Sequence, residues 1–232
     1  MVEIGGQPIL WHIMKIFSAH GINDFVVCLG YKGYLIKEYF ANYLLHSSDV
    51  TIDLATNALD IHESKAEPWR VTLIDTGLAS QTGGRLKRVA EHLVNEEHFF
   101  FTYGDGVGDI DITGLLAFHR KHGKLATVSA VRPPGRFGTM TFDGDRVTSF
   151  REKQVAPGSY INGGFFVLSP AVLDYIDDDQ TVWEDEPLDR LTKEDNLSAW
   201  RHDGFWQPMD TIREKQILDD YWRQGRAPWK VW

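Results

Sequence analysis

The sequence predicts an α/β protein in which one mainly parallel sheet lies between two layers of helices. The main observation is that strand-like and helix-like segments alternate along almost the whole chain, as in β-α-β units. A second observation adds an antiparallel hairpin to this sheet: in residues 137–153, alternating side chains flank Asp143-Gly144, which is a typical hairpin turn. The chain has 232 residues and no plausible linker, so we expect a single domain, 1–232.

The first half of the chain opens with an amphipathic helix. Pro8 precedes it, four apolar side chains share one face, and Gly21 ends it. The remaining predictions for this half are a buried strand at 25–30, a helix at 34–45, strands at 50–55 and 71–76, a helix at 84–93 and the strand that contains Phe99–Phe101.

The second half continues the alternation beyond the turn at Asp105. The predicted elements are an amphipathic helix at 111–123, a strand at 126–133, the hairpin, a buried strand at 163–169, and helices near 170–177, 186–194 and 211–224.

Composition restricts the possible partners. A net charge of −9 argues against a surface for duplex nucleic acid, whose phosphates require basic patches. No stretch approaches the roughly 20 apolar residues that span a bilayer, and no signal-peptide pattern opens the chain, which predicts a cytoplasmic protein. The single cysteine, Cys28, lies in an apolar run and is expected to be a packed core thiol.

Two aspartates stand at predicted loop junctions. Asp105 lies between Gly104 and Gly106 at the carboxyl end of a strand, where α/β sheets bind ligands. Asp210 directly precedes a predicted helix that starts at Thr211. Each aspartate could simply cap its local turn or helix. Together they are what Mg²⁺ needs to bridge phosphate groups.

A third feature is the segment TGGRLKR. Gly83 and Gly84 precede basic residues at 85, 87 and 88, which are expected in the first turns of a helix. Cations there oppose the helix dipole, so an anionic ligand would explain them. A solvated basic face is the alternative.

A fourth feature combines acceptors with a cation. Glu152 and Lys153 end the hairpin, and Asn162 with Gly163 opens a buried strand. Such groups can bind sugar hydroxyls and a phosphate. An exposed hairpin end and an ordinary turn asparagine are the alternatives.

In order along the chain, the motifs MVEIGGQPILWHIMK, GYKGYLIKEYF, TGGRLKRV, FTYGDGV, PPGRFG, FREK, INGGFF and FWQPMDT resemble the sugar-phosphate nucleotidyltransferases. Within that family the resemblance is to the bacterial glucose-1-phosphate cytidylyltransferases, and it extends from Met1 to the closing APWKVW. It implies a Rossmann-like, GT-A-like domain that makes CDP-glucose and pyrophosphate from CTP and α-D-glucose 1-phosphate with Mg²⁺. It also implies a role in bacterial surface-polysaccharide synthesis and a homo-oligomer.

The resemblance assigns roles by position. Asp105 and Asp210 look like the metal ligands, and Lys153 is the third expected catalytic residue. The nucleotide would contact Thr82, Gly83, Gly84, Arg85, Thr102 and Gly104. The sugar phosphate would contact Gly138, Glu152, Lys153, Asn162 and Gly163.

The sequence departs from the family pattern in two places. Gln154 follows FREK where the family usually has proline. The family's leading strand, GGxGTR loop and KPKP segment have no counterpart before the MVEIGG match, so a chain that starts at Met1 is expected to be inactive unless further residues exist.

Two other functions stay open at this point. A nucleotide-sugar glycosyltransferase would also use an acidic metal site, but Asp105 and Asp109 do not have the spacing of a DxD motif. A non-catalytic nucleotide-sugar sensor or scaffold is the other. The segment 211–232 ends in an aromatic tail that would suit a subunit interface or pack on its own domain.

Overall fold

The computed structural model describes residues 1–132, 139–143, 146–151 and 160–232, and for 139–143 and 146–151 it describes the backbone alone. It confirms the α/β fold class. The α-helices of the described part are α1 Ile9–Ser18, α2 Gly33–Ala41, α3 Tyr43–His46, α4 Thr82–Arg88, α5 Ile112–His122, α6 Glu186–Lys193 and α7 Ile212–Arg223. Short 3₁₀ helices cover Ala90–His92 and Pro170–Tyr175, so the element predicted near 170–177 is a 3₁₀ helix.

The strands are more numerous than the sequence predicted. They are β1 Glu3–Ile4, β2 Gln7–Pro8, β3 Asp24–Leu29, β4 Ser48–Asp53, β5 Ala58–Ser64, β6 Arg70–Asp75, β7 Phe99–Phe101, β8 Gly106–Gly108, β9 Ala126–Val131, β10 Thr139–Asp143, β11 Arg146–Arg151, β12 Ile161–Leu168, β13 Leu197–His202 and β14 Trp206–Pro208. β10 and β11 pair antiparallel, which confirms the predicted hairpin strands.

A four-stranded sheet in the order β13-β9-β12-β7 forms the centre of the fold. β9 and β13 are parallel, whereas β12 is antiparallel to both of its neighbours. A second parallel pair joins β3 to β6. Parallel pairing of segments that are distant in sequence is what the alternating pattern predicts.

Alternate residues of β12 are buried in two hydrophobic cores, one on each face of the sheet. Phe165 and Val167 pack with α1 and α5, while Phe166 and Leu168 pack with α4 and Trp183. Since successive strand side chains point to opposite faces, helices cover both sides of the sheet. This is the three-layer arrangement.

A cleft of about 860 Å³ lies between β3 and β7, with α1 and α4 contributing apolar side chains to its walls. Cys28 lies in this wall, packed against the second core, and burial raises the pKa of its thiol to about 11. The thiol is therefore protonated at neutral pH, as expected for a packed cysteine. The cleft separates the β3–β6 pair from the four-stranded sheet.

The segment predicted as a strand at 50–55 belongs to a projecting hairpin. β4 pairs antiparallel with β5, and nearly every residue of both strands is exposed. Asp53 closes the turn by accepting from the Ala55 N–H at 2.8 Å, and Asn57 adopts a left-handed φ of 55°. The turn contains no glycine or proline, so no strong local signal marks the return of the chain into β5.

The C-terminal tail packs on its own domain. Trp229 is fully buried, and its Nε1 donates to His12 Nδ1 at 3.3 Å. His12 Nε2 in turn lies 2.9 Å from the Ile4 carbonyl, to which it donates. Burial lowers the pKa of His12, so the neutral ring joins α1 to both the N-terminal strand and the tail. Within the described residues, no helix has the length and apolarity to cross a membrane.

Candidate active site

Two short strands bring Asp105 and Asp210 together. β8 directly follows Asp105, and only Met209 separates β14 from Asp210. The two strands pair antiparallel, with Gly106 opposite Pro208. The ladder continues one step further, where the Met209 N–H donates to the Asp105 carbonyl at 2.7 Å. Backbone pairing therefore joins two aspartates that are more than a hundred residues apart in sequence.

The electrostatics of the pair agree with this placement. Solvent reaches Asp105, yet the surrounding protein partly desolvates its carboxylate, and this raises its pKa. The negative charge of Asp210 raises it further. Both effects disfavour the charged form, so the fold holds a carboxylate where its ionisation is opposed.

Asp210 is not the cap of the helix that follows it. Thr211 is the N-cap of α7, and its hydroxyl accepts from the Glu214 N–H at 3.2 Å. Glu214 completes a capping box by accepting from the Thr211 N–H at 3.0 Å and also from the Asp210 N–H at 2.9 Å. The capping interpretation of Asp210 is thus wrong, and its carboxylate has no role in α7.

The basic residues after Gly84 do not lie at a helix N-terminus. α4 spans Thr82–Arg88, so these residues occupy its last turn, where cations are favourable. Lys87 donates to the Ile176 and Asp177 carbonyls, and Arg88 pairs with Asp179. The predicted anion at this terminus is therefore not needed to explain Lys87 and Arg88, because both hold α4 to the segment 176–179.

Gly83 and Gly84 are buried against the same segment. A Cβ at Gly83 would come 2.7 Å from the Thr181 carbonyl, and one at Gly84 would come 2.3 Å from the Asp179 carbonyl. The Gly84 N–H donates to Thr181 O at 3.2 Å. These glycines allow backbone to approach backbone.

Arg85 faces the other way, into the cleft. Its Nη1 donates to the Leu29 carbonyl at 3.1 Å and to Thr76 Oγ1 at 2.8 Å, at the carboxyl ends of β3 and β6. The guanidinium lies over Gly30, where a Cβ would be 2.8 Å from it. Thr82, Arg85, Thr102 and Gly104, four of the predicted nucleotide residues, line the cleft together.

Asn162 lies on β12 and bonds two neighbours. Its Nδ2 donates to the Tyr103 hydroxyl at 3.2 Å, and its Oδ1 accepts from the Gly164 N–H at 2.8 Å. The carbonyl of the adjacent Gly163 accepts from Trp206 Nε1 at 2.8 Å, which ties β12 to the strand that leads to Asp210. The other predicted sugar-site residues, Gly138, Glu152 and Lys153, lie outside the described residues.

Glu184 joins the site although the sequence carries no signal for it. Thr82 Oγ1 donates to Glu184 Oε2 at 2.6 Å, and the Tyr103 hydroxyl donates to Glu184 Oε1. Glu184 thus connects the start of α4 to the end of β7. It lies in the acidic stretch WEDE before α6, which locally reads as an ordinary surface loop.

Asp109 does not share the acidic site. Its Oδ1 lies 2.9 Å from His202 Nε2, an ion pair when the imidazole is protonated. Within the described residues, no group of three or more His, Cys, Asp and Glu side chains is arranged to hold a metal.

No protein-family model matches the chain. A glucose-1-phosphate cytidylyltransferase from Salmonella typhi is 59% identical to it over 232 residues, which cover 100% of this chain and 90% of that protein. The chain belongs to the glucose-1-phosphate cytidylyltransferases. A probable member of this family from Bacillus subtilis is 42% identical over the whole chain and 91% of its own length.

Solved structures agree with the fold. HddC from Yersinia pseudotuberculosis matches with a TM-score of 0.68 at 20% identity, over 96% of this chain and 88% of that one. An apo UDP-glucose pyrophosphorylase matches with a TM-score of 0.66 at 11% identity, over 97% and 90%. At these identities the likeness concerns the fold alone.

Proposed function

We propose that the protein transfers a cytidylyl group from CTP to α-D-glucose 1-phosphate, giving CDP-glucose and pyrophosphate. The observation that carries this proposal is the 59% identity, across the full chain, to curated enzymes with that name. We also propose that the protein acts in the cytoplasm.

The nucleotide is proposed to bind where the cleft meets Thr82, Arg85, Thr102 and Gly104. Arg85 supports this assignment, because Leu29 and Thr76 fix its guanidinium while it keeps a positive charge on the cleft wall. A planar guanidinium fixed in this way is suited to a phosphate. Gly83 and Gly84 would act indirectly, by allowing α4 to pack on the segment 179–181.

The sugar phosphate is proposed to bind on the other side of Asp105. Asn162 bonds Tyr103, which stands two residues before Asp105, and Gly163 bonds Trp206, which lies on the strand that leads to Asp210. Gly138, Glu152 and Lys153 are assigned to the same substrate on their sequence match. In this scheme Glu152 accepts from sugar hydroxyls, and Lys153 holds the attacking phosphate.

Asp105 and Asp210 form a donor set that fits Mg²⁺. Both supply hard carboxylate oxygens. The pKa of Asp105 is raised first by desolvation and then by the charge of Asp210, and a bound cation would oppose both effects by favouring the charged carboxylate. When bound, the ion would neutralise charge on the substrate phosphates and keep them in one orientation. The two aspartates would be its protein ligands.

The reaction needs no covalent enzyme intermediate. A phosphate oxygen of glucose 1-phosphate attacks the α-phosphorus of CTP in line, and the bond to the bridging oxygen of pyrophosphate breaks. The work of the chain is then to hold the two phosphates in contact and to neutralise their charge. Arg85 and Lys153 would supply positive charge on either side of the attacked phosphorus.

We also propose a homo-oligomer. The β4–β5 hairpin supports this, because it exposes three large apolar side chains. Leu54 is 84% exposed, Ile52 is 55% exposed and Leu59 is 50% exposed. A two-stranded hairpin is marginally stable without a partner surface. Analytical ultracentrifugation of the wild type and of Leu54→Asp tests it; an oligomeric wild type with unchanged assembly in the variant would place the interface elsewhere, and a monomeric wild type would refute the oligomer.

The experiment for the reaction measures pyrophosphate and CDP-glucose after the purified protein is mixed with CTP, glucose 1-phosphate and MgCl₂. Asp105→Asn should reduce turnover by at least about 100-fold, the size expected when an electrostatic group of the transition state is lost. Asp60→Asn, which removes an exposed carboxylate on β5, is the matched control. Absence of CDP-glucose with the wild type, or normal turnover in Asp105→Asn, would contradict the proposal.

Lys153→Ala separates the two substrates. Its KM for glucose 1-phosphate should rise while its KM for CTP changes little, because the lysine is assigned to the sugar phosphate alone. Equal increases in both constants would show that Lys153 acts elsewhere.

A further inference from the structure

Both carboxylate oxygens of Glu184 are used, and each accepts from a different part of the site. The Thr82 hydroxyl donates to Oε2 at 2.6 Å, and the Tyr103 hydroxyl donates to Oε1. Thr82 begins α4, and Tyr103 stands two residues before Asp105. One side chain therefore connects the nucleotide end of the cleft to the aspartate turn.

The directions of the hydrogen bonds are fixed on both sides of Glu184. The Trp183 N–H donates to Thr82 Oγ1 at 2.9 Å, so the Thr82 hydroxyl is free to donate only onward, to the carboxylate. Asn162 Nδ2 donates to the Tyr103 oxygen at 3.2 Å, so that hydroxyl likewise donates its hydrogen bond to Glu184. An ionised carboxylate is the natural acceptor of two converging donors.

Packing holds the Tyr103 ring in the same position. Gly164 has a φ of 79°, and a Cβ there would come 2.6 Å from Tyr103 Cδ2. Phe101 and Phe166 make edge contacts with the ring at centroid distances of 5.6 and 6.2 Å. The ring thus lies on the backbone of β12 and transmits the position of Glu184 to Asn162.

We propose that Glu184 is a positioning residue for the transfer reaction. By holding Thr82, Tyr103 and Asn162 through one carboxylate, it sets the separation between the bound nucleotide and the bound sugar phosphate. This rests on the proposed function, because the two ends of the network are the two proposed substrate sites. In-line attack depends steeply on that separation, and an error of about 1 Å can reduce the rate about 100-fold.

Glu184→Gln is the decisive variant, since it keeps the size of the side chain but makes one of its two oxygens an N–H₂ donor. That group cannot accept from the hydroxyl it faces, so one of the two donations to residue 184 must be lost or reversed. We expect kcat to fall at least about 10-fold, while KM for CTP and for glucose 1-phosphate each change less than about threefold. Tyr103→Phe should lower kcat similarly.

Two comparisons separate positioning from simple destabilisation. Asp185→Asn changes the next, exposed carboxylate, which makes no side-chain cap bond to α6, and should keep wild-type kinetics. The double variant Glu184→Gln/Tyr103→Phe should be no slower than the slower single variant, because both changes disrupt the same hydrogen-bond network. Urea unfolding at the assay temperature confirms that each variant is folded.

Each result decides the question. A wild type that makes CDP-glucose and a Glu184→Gln protein with kcat within twofold of it would overturn the positioning role and leave the proposed function intact. A rise in KM for one substrate at unchanged kcat would make Glu184 a binding residue instead. A folded wild type without turnover would overturn the proposed function, and this inference with it.

Discussion

A directed chain of hydrogen bonds connects three histidines beneath the central sheet, and it gives a sharp test of the packing. The Lys124 N–H donates to His122 Nδ1 at 3.0 Å, so the other ring nitrogen carries the proton and donates to Thr127 Oγ1 at 2.7 Å. The Thr127 hydroxyl then donates to His119 Nδ1 at 2.8 Å, and His119 Nε2 donates to His98 Nδ1 at 3.2 Å. Burial lowers the pKa of both His119 and His122, which favours their neutral rings.

Thr127→Val removes the hydroxyl in the middle of this chain and keeps the side chain's shape. It leaves an N–H of His122 and a ring nitrogen of His119 without partners, and His119 and Thr127 are fully buried. At about 1–2 kcal/mol for each unsatisfied group, the free energy of unfolding should fall by about 2–4 kcal/mol. Thr127→Ser keeps the hydroxyl and should lose about 1 kcal/mol, the value of one methyl group.

The same histidines make stability depend on pH. Burial, together with the positive charges that His98, His122 and Arg120 can carry, lowers the pKa of His119 to about 4, against a smaller opposing effect of Glu97. Below pH 6.5, His119 binds a proton in the unfolded chain but stays neutral in the folded chain, so stability falls as pH falls. Between pH 7 and pH 5 this one group should cost about 2 kcal/mol.

Urea unfolding followed by tryptophan fluorescence at pH 7 and pH 5 measures both effects. His119→Gln removes the titrating ring, so its loss of stability between these pH values should be smaller than that of the wild type by about 2 kcal/mol. A Thr127→Val protein that is no less stable than Thr127→Ser would refute the hydrogen-bond chain. A His119→Gln protein that keeps the wild-type dependence of stability on pH would refute the role of His119.

Two further predictions concern the site. Gly164→Ala should lower the free energy of unfolding by more than about 2 kcal/mol, whereas Gly225→Ala, also at positive φ but with no atom near its Cβ, should lose about 1 kcal/mol; equal losses would mean that Tyr103 yields easily. Thr211→Ala should lose about 1 kcal/mol in urea unfolding, while Asp210→Ala should be neutral or slightly stabilising, since it removes charge repulsion and no cap; a loss in Asp210→Ala would contradict this.

Local sequence patterns predicted most of the fold. Pro8 and the apolar spacing after it predicted α1, and the apolar runs predicted β3, β6, β7, β9 and β12 within one or two residues. β8 and β14 were missed because each has three residues and, unlike the three phenylalanines of β7, neither forms an apolar run. They are nevertheless the strands that join Asp105 to Asp210.

The candidate site was predictable one residue at a time but not as a network. Asp105 stood out because glycines flank it at the end of a strand, and Asp210 because it directly precedes a predicted helix. Arg85 stood out because it follows a Gly-Gly pair, whereas Thr82 was assigned by the family resemblance. Glu184 could not be found in this way. Its partners, Thr82 and Tyr103, are 102 and 81 residues away, and no local pattern encodes contacts at such separations.

The two halves of the site are held by opposite means, and this decides how each should respond to mutation. The β8–β14 ladder forces Asp105 towards Asp210 although burial and charge oppose its ionisation, so removing either carboxylate relieves repulsion. Glu184 is instead the acceptor on which satisfied donors converge, so removing its charge leaves groups unpaired. Loss of activity should therefore come with unchanged or increased stability in the aspartate variants, and with decreased stability in Glu184→Gln. A site that binds a cation between its aspartates needs the first behaviour, because the repulsion present without the ion is what the ion's charge offsets.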